Sequence, residues 1–264
     1  MGYPTRGALA VVTRGPRGYR ATMINLLIAI GSAAAAFILG MAVGGHWIAG
    51  FLPALLVLVI VYFLLARRTS SKLQALMELA GKSIQRQKVD EARRVLESGR
   101  PLGRWQFLVG GQIEAQLGAL AYLERDWGRA RRHLEKAFSR NWMAQGMLAS
   151  MDLREKNAAA GVERMEKASG FAKKESLYWG LYAYILVESK KMDKALEVLA
   201  RGLKVMPDND GLKGLQQAIS NKRRKLKMGN LFGNQWYTFF PEQFPVRRYQ
   251  QAAVQGRGFP QPRR

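Results

Sequence analysis

Two uncharged apolar runs near the start of the chain constrain everything that follows. From Met23 to Val43 (MINLLIAIGSAAAAFILGMAV) no residue carries a charge. A helix over that run rises about 31 Å at ~1.5 Å per residue, against a hydrocarbon core of about 30 Å. After GGHWIAGF comes a second run, LPALLVLVIVYFLLA, from Leu52 to Ala66, which counted from Trp47 is again long enough to span. The link between them is too short for anything but a tight turn. Residues 23–66 therefore read as a transmembrane hairpin, with spans of about 23–43 and 47–66.

The flanks set an orientation. Arg6, Arg14, Arg17 and Arg20, on a basic arm of residues 1–22, precede the first span, and Arg67, Arg68 and Lys72 follow the second. The turn has no Lys or Arg, so the positive-inside rule puts both termini in the cytoplasm of a protein that crosses the plasma (inner) membrane twice. Trp47 and Tyr62 are candidate interfacial anchors. A cleaved signal peptide is the competing reading, with SAAAAF offering small residues for cleavage. The apolar run continues well past that point, and the arm is long for a signal peptide. Arg6 also stands where a myristoylation signal needs Ser or Thr. Ser32, Ala36, Gly40 and Gly44 recur every fourth residue on one face of the first span. Small residues at that spacing admit a close helix neighbour, either the second span or another copy of the chain.

Beyond Ser70 the periodicity becomes that of amphipathic helices in pairs, all-α throughout. Four times a small residue is followed 12 positions later by a second and 7 after that by a third. The sets are Ala80, Ala92, Gly99; Gly118, Ala130, Ala137; Ala149, Gly161, Ala168; and Ala183, Ala195, Gly202. An apolar or aromatic residue precedes each first member (Leu79, Leu117, Leu148, Tyr182), and another follows each second member by four (Leu96, Leu134, Met165, Leu199). Small side chains are needed where antiparallel helices cross closely; the larger ones plug the next pair. DNDGLKGLQQAISNKRRKLKM then supplies a capping helix over 210–227, with Asp208 or Asp210 as its expected N-cap. Basic residues from Lys222 to Lys227 suit its negative end.

This pattern resembles the tetratricopeptide repeat family, whose period is about 34 residues. The second small positions step by 38, 31 and 34. The final pair is the closest match, with Trp179, Ala183, Ala195, Leu199 and a closing Pro207. Elsewhere Glu114 and Gln145 replace the early tryptophan, and Lys173 replaces the proline. The resemblance implies an α-solenoid of about four helical hairpins over 70–209. It also implies that the first helix of each pair lines a groove for a partner protein. The inward positions would be Met77, Ile84, Gln112, Tyr122, Met143, Leu153, Tyr184 and Val187, several of which would equally serve as core between repeats. Those first helices lack the asparagines with which some family members grip a carboxylate.

Charge is distributed unevenly. None of the 19 acidic residues precedes Glu78, and four arginines are the only charged side chains before Arg67, so the soluble part holds nearly all of the basic surplus. Much of it falls on the second helices, where Arg93, Arg94, Arg129, Arg131, Arg132 and Lys136 are candidates to meet an anionic surface such as lipid headgroups. In most proteins such charges are simply solvated. Nucleic acid is a further option, motivated by KRRKLK and aromatics near basic pairs. It is disfavoured, because acids interleave with the bases and no recognition module is visible.

The tail, 228–264, carries Phe232, Trp236, Tyr237, Phe239, Phe240 and Phe244 among glycines and prolines. These aromatics are expected to pack on the end of the repeats, in the membrane interface or on a partner, with part of the tail disordered.

No catalytic constellation is found. There is no cysteine, and His46 and His133 are the only histidines. No metal-ligand spacing, phosphate-binding glycine loop or nucleophile elbow appears. Glu163 with Glu166, and Asp152 with Glu155, share helical faces as ordinary surface acids would. No cofactor, metal site or enzymatic activity is expected. The resulting expectation is a membrane-anchored scaffold that binds a partner protein at the cytoplasmic face, for instance as an assembly factor for a membrane complex. The alternative is a binder of nucleic acid or anionic lipid acting through the basic surface.

Overall fold

A computed structural model describes residues 23–106, 108–221 and 226–243. The arginines of the N-terminal arm, the cluster from Lys222 to Lys225 and Phe244 lie outside the described residues. Among those described, the structure is helical with no strand. The chain forms two compact units, residues 1–114 and 115–264.

The first unit is built on α1 (Ile24–Gly44) and α2 (Trp47–Gln85), both long and apolar enough to cross a membrane. α1 ends at Gly45, whose φ of +65° is a conformation glycine adopts without strain; its N–H donates to the Met41 carbonyl. Gly40 lies against α2. A Cβ there would fall 2.6 Å from the Ala49 carbonyl oxygen and 2.7 Å from Gly50 Cα. Pro53 cannot supply the N–H that this carbonyl would otherwise receive. Gly50 in turn faces the Phe37 carbonyl, and Gly44 faces Ala49. Gly40 and Gly44 are thus engaged within the hairpin. Gly40→Ile is expected to cost about 1–3 kcal/mol by overpacking. Unchanged melting in detergent and unchanged oligomer size would refute this.

α2 does not stop at the apolar boundary. It continues through Arg67 and Arg68 and forms the first helix of a pair with α3 (Val89–Ser98). A 3-10 turn (Arg100–Arg104) follows, then α4 (Val109–Leu123), within which the division between the units falls. The second unit holds the rest of α4, α5 (Trp127–Leu134), α6 (Trp142–Arg154), α7 (Ala158–Ala168), α8 (Ser176–Glu188), α9 (Met192–Val205) and α10 (Asp210–Ser220). It ends with the short α11 (Met228–Phe232) and two 3-10 turns reaching Gln243.

The small residues of the four sets are buried, except that Ala137 is half-buried because α5 already ends at Leu134. The plugs are buried too, apart from Leu79, which is exposed and has no earlier pair to fill. Side-chain caps recur: Asp126, Asn141 and Asn157 each accept from a backbone N–H three residues on. The cap of α10 is Asn209, which accepts from Leu212 N, rather than Asp208 or Asp210. Asn209 holds the extended backbone geometry of a cap, whereas Asp210 is already the first helical residue.

Each pair turns in the same way. Gln87, Arg125, Lys156 and Lys190 adopt φ near +60° and sit five residues before Ala92, Ala130, Gly161 and Ala195, so they repeat the steps of 38, 31 and 34. After each, the next N–H reaches back to close the helix: Lys88 to Ser83, Asp126 to Ala121, Asn157 to Asp152 and Lys191 to Leu186, at 2.8–3.0 Å. None of the four is glycine, so each turn stores left-handed strain of about 1–2 kcal/mol. Lys156→Gly is expected to raise stability by up to about 1 kcal/mol, the relief of strain outweighing the extra entropy of the unfolded chain. A lowered melting temperature would contradict this.

Candidate functional site

The tail occupies the second unit's own helices. Glycines on α6, α8 and α10 make room for it. A Cβ at Gly146 would lie 2.8 Å from the Phe239 ring, one at Gly180 would lie 2.3 Å from Phe232, and one at Gly214 would lie 2.9 Å from Leu231. Trp236 and Phe240 stack with ring centres 4.9 Å apart, and Tyr184 of α8 meets both edge-on at 5.0 and 5.2 Å. Phe239 approaches Trp142 of α6 at 6.1 Å. Trp236, Phe239 and Phe240 are buried in the same core as Tyr178, Leu181 and Ile185 of α8. The aromatics among the described residues thus pack on helices of the second unit itself, along α6 and α8.

Arg154, the last residue of α6, locks the segment. Its guanidinium lies over Trp127 at 4.7 Å and near the rings of Tyr122 and Phe240. It donates to the Phe239 carbonyl at 2.7 Å and to both carboxylate oxygens of Glu242 at 3.0 Å. Tyr122 donates its hydroxyl to the same carbonyl at 2.6 Å. Burial pushes the Tyr122 phenol above its ordinary pKa, although Arg154 pulls the other way, so the hydroxyl keeps its proton as a donor. Sequence reasoning did not single out Arg154. The available signal was Glu242, an acid set among the aromatics and cations of the tail, which needs a cationic counterpart.

The expected groove positions divide accordingly. Tyr122 is fully buried and bonded to the tail, and Tyr184 is in ring contact with it. Met143, Leu153 and Val187 are half-buried against the same core. Met77, Ile84 and Gln112 belong to the first unit, with Met77 half-buried and the other two exposed.

The basic candidates divide as well. Arg131 is drawn into the fold, where Asp152 accepts from it at 2.8 Å and from Arg164 at 2.8 Å, with Glu155 also 2.9 Å from Arg131. Asp152 is therefore a buried junction of α5, α6 and α7 rather than a surface acid. Arg93 pairs with Asp90 at 2.9 Å, and Arg129 with Asp126 at 3.1 Å. Arg94 is exposed and bonds the Asp90 carbonyl. Arg132 and Lys136 are exposed, with no acidic partner among the described residues. A parallel junction joins α7 to α9: Arg201 holds both oxygens of Glu166 at 3.0 Å, and Tyr182 donates to the same carboxylate. Those bonds hold the Glu166 carboxyl below its ordinary range.

No group of acids and histidines able to hold a metal occurs among the described residues. A scan against protein-family models finds no match to the chain, and a comparison with the curated proteins finds none similar in sequence.

Proposed function

We propose that the chain is a membrane-anchored helical-repeat scaffold that binds a partner protein at the cytoplasmic face, as an assembly factor for a membrane complex would. Support for the anchor comes from α1 and α2, whose outward faces carry exposed Leu27, Ile38, Leu39, Leu52, Leu56 and Phe63. A hydrocarbon environment would cover that surface at no desolvation cost. The positive flanks support the cytoplasmic orientation. The recurring turns at Gln87, Arg125, Lys156 and Lys190 support a repeat array of the tetratricopeptide kind.

The observation that carries the reading is the seat of residues 228–243. An aromatic segment of short helical turns lies on α6 and α8, anchored by Arg154 through a carbonyl and a carboxylate. A partner segment with the same chemistry would be recognised in the same way, so the tail competes with partners for the wall. The test uses the full chain in native membranes with a photo-reactive residue in place of Met143, Leu153 or Val187. A discrete adduct is expected, strengthened when Trp236 is replaced by alanine to loosen the tail. No adduct from any position in either form would overturn the proposal, as would a reporter after Arg264 that faces outside.

A second reading, contact of the basic surface with anionic lipid, is favoured by the exposure of Arg132 and Lys136. Replacing both with glutamine should weaken binding of the soluble part to anionic vesicles and flatten its salt dependence.

A further inference from the structure

At the open end of the hairpin lies a cavity of about 290 Å³, lined by Asn25 of α1, Leu65, Arg68, Thr69 and Lys72 of α2, Leu102 of the 3-10 turn and Trp105 just after it. All belong to the first unit. We propose that this cavity binds the headgroup of an anionic glycerophospholipid that also carries a hydroxyl or ammonium donor. The inference rests on the reading that α1 and α2 span the membrane.

The depth is right. Asn25 is the second residue of α1, and its Nδ2 donates to Thr69 Oγ1 at 3.1 Å. Thr69 lies three residues past Ala66, where the apolar run gives way to Arg67 and Arg68. The cavity therefore sits at the level where acyl chain changes to headgroup. Exposed Leu27 and Ile28 on α1 and Phe63 and Leu64 on α2 offer apolar surface for the chain on the hydrocarbon side.

The polar chemistry is specific. Thr69 donates its hydroxyl hydrogen to the Leu65 carbonyl at 3.0 Å, so its oxygen can only accept from Asn25. That fixes the amide, with Nδ2 on Thr69. Asn25 Oδ1 is then a buried acceptor without a partner among the described residues, in a residue only 1% exposed. The Asn25 backbone N–H is already used, donating to the Trp105 carbonyl at 3.2 Å. A buried acceptor with no donor is costly and marks a place for a ligand donor. Arg68 and Lys72 lie one turn apart on α2 and have no acidic partner among the described residues, which suits a phosphate. Trp105 adds a half-exposed ring at the rim, a residue favoured at the interface. A phosphate on Arg68 and Lys72 leaves the headgroup's own donor for Asn25 Oδ1.

The test uses the delipidated full chain in detergent, read by native mass spectrometry and melting temperature. The probes are phosphatidylglycerol, phosphatidylmethanol (anionic, with no headgroup hydroxyl), phosphatidylcholine and soluble glycerophosphoglycerol. One phosphatidylglycerol per chain should be retained and raise the melting temperature. Phosphatidylmethanol should bind about tenfold more weakly for want of one hydrogen bond to a buried acceptor. Arg68→Gln with Lys72→Gln, both at exposed positions, should abolish the preference for anionic over choline lipid. Asn25→Leu should erase the preference for phosphatidylglycerol over phosphatidylmethanol. Equal binding of all three lipids overturns the site, and glycerophosphoglycerol binding as tightly as the lipid overturns the lipid assignment. Extraction of the wild-type protein from membranes by alkaline carbonate would instead remove the spanning hairpin. A chain that resists extraction yet shows no lipid preference refutes the cavity alone.

Discussion

Replacing Trp236 with alanine is expected to lower stability by about 3–5 kcal/mol, the range for deleting a fully buried large aromatic. Trp236 is 0% exposed, stacks on Phe240, meets Tyr184 edge-on and donates its indole N–H to Gln243 at 2.9 Å. The indole body therefore fills space, and its polar edge is satisfied. Truncation leaves a cavity bounded by rings that cannot collapse far, and it orphans the Gln243 acceptor. Chemical denaturation of the full chain in detergent measures the loss. Trp105→Ala serves as the internal reference: that side chain is 41% exposed, so its truncation should cost much less. Equal effects of the two substitutions would mean that the tail does not belong to the core. Deleting residues 229–264 should destabilise the second unit at least as strongly, because it uncovers the walls around Gly146 and Gly180 together.

The second large effect is expected at Asp152. Its side chain is only 4% exposed and accepts from Arg131 and Arg164, each at 2.8 Å, tying α5 and α7 to α6. Asp152→Ala would leave the partly desolvated Arg131 and Arg164 guanidinium groups facing each other with only the more exposed Glu155 and Glu135 as counter-ions. Breaking a buried pair from one side costs about 3–5 kcal/mol; because both arginines retain some solvent contact, about 2–4 kcal/mol is expected. Asp152→Asn preserves the volume and one acceptor and should fall between that variant and wild type. The contrast is Lys167 with Glu163, 2.6 Å apart but 75% and 68% exposed, where Lys167→Ala should change stability by less than about 0.5 kcal/mol. Denaturant midpoints of the three variants decide the matter. An Asp152→Ala protein as stable as Lys167→Ala would show the junction to be dispensable.

Arg154 and the glycines opposite the tail explain why this part of the molecule resists reading from a linear pattern. Periodicity identifies the faces of helices that are buried, but not what buries them. Gly146 and Gly180 stand in first helices where the repeat pattern asks for nothing in particular. Their meaning comes from Phe239 and Phe232, which are far away in sequence. Tyr122 is an inward position by the resemblance to tetratricopeptide repeats, yet its partner is a main-chain carbonyl 117 residues on. Arg154 looks like any basic residue closing a helix, where it would suit the dipole. Its role arises only because Glu242, Phe239 and three rings converge on it.

Asp152 illustrates the same limit for charge. Its spacing from Glu155 on one helical face is that of surface acids, and only the approach of Arg131 and Arg164 from neighbouring helices makes it an internal junction. The four left-handed turns were hidden for a different reason. Gln, Arg and Lys carry no turn signature, and the surrounding helix packing imposes the conformation on them.

What the sequence alone determined is whatever depends on local composition and period. The two apolar helices follow from uncharged runs long enough to span, and the helical pairs follow from small and large residues returning at 12, 7 and 4 positions. The expectation of a close helix neighbour along Ser32, Ala36, Gly40 and Gly44 also belongs here, because small residues every fourth position admit one, while the structure decided that α2 meets Gly40. The tertiary structure alone decided which segment fills the wall of the second unit, which cations are already neutralised, and which buried acceptor in the hairpin is left open. Those outcomes depend on pairs of groups distant along the chain, whose meeting is set by packing geometry and by the cost of leaving a buried polar atom unmatched.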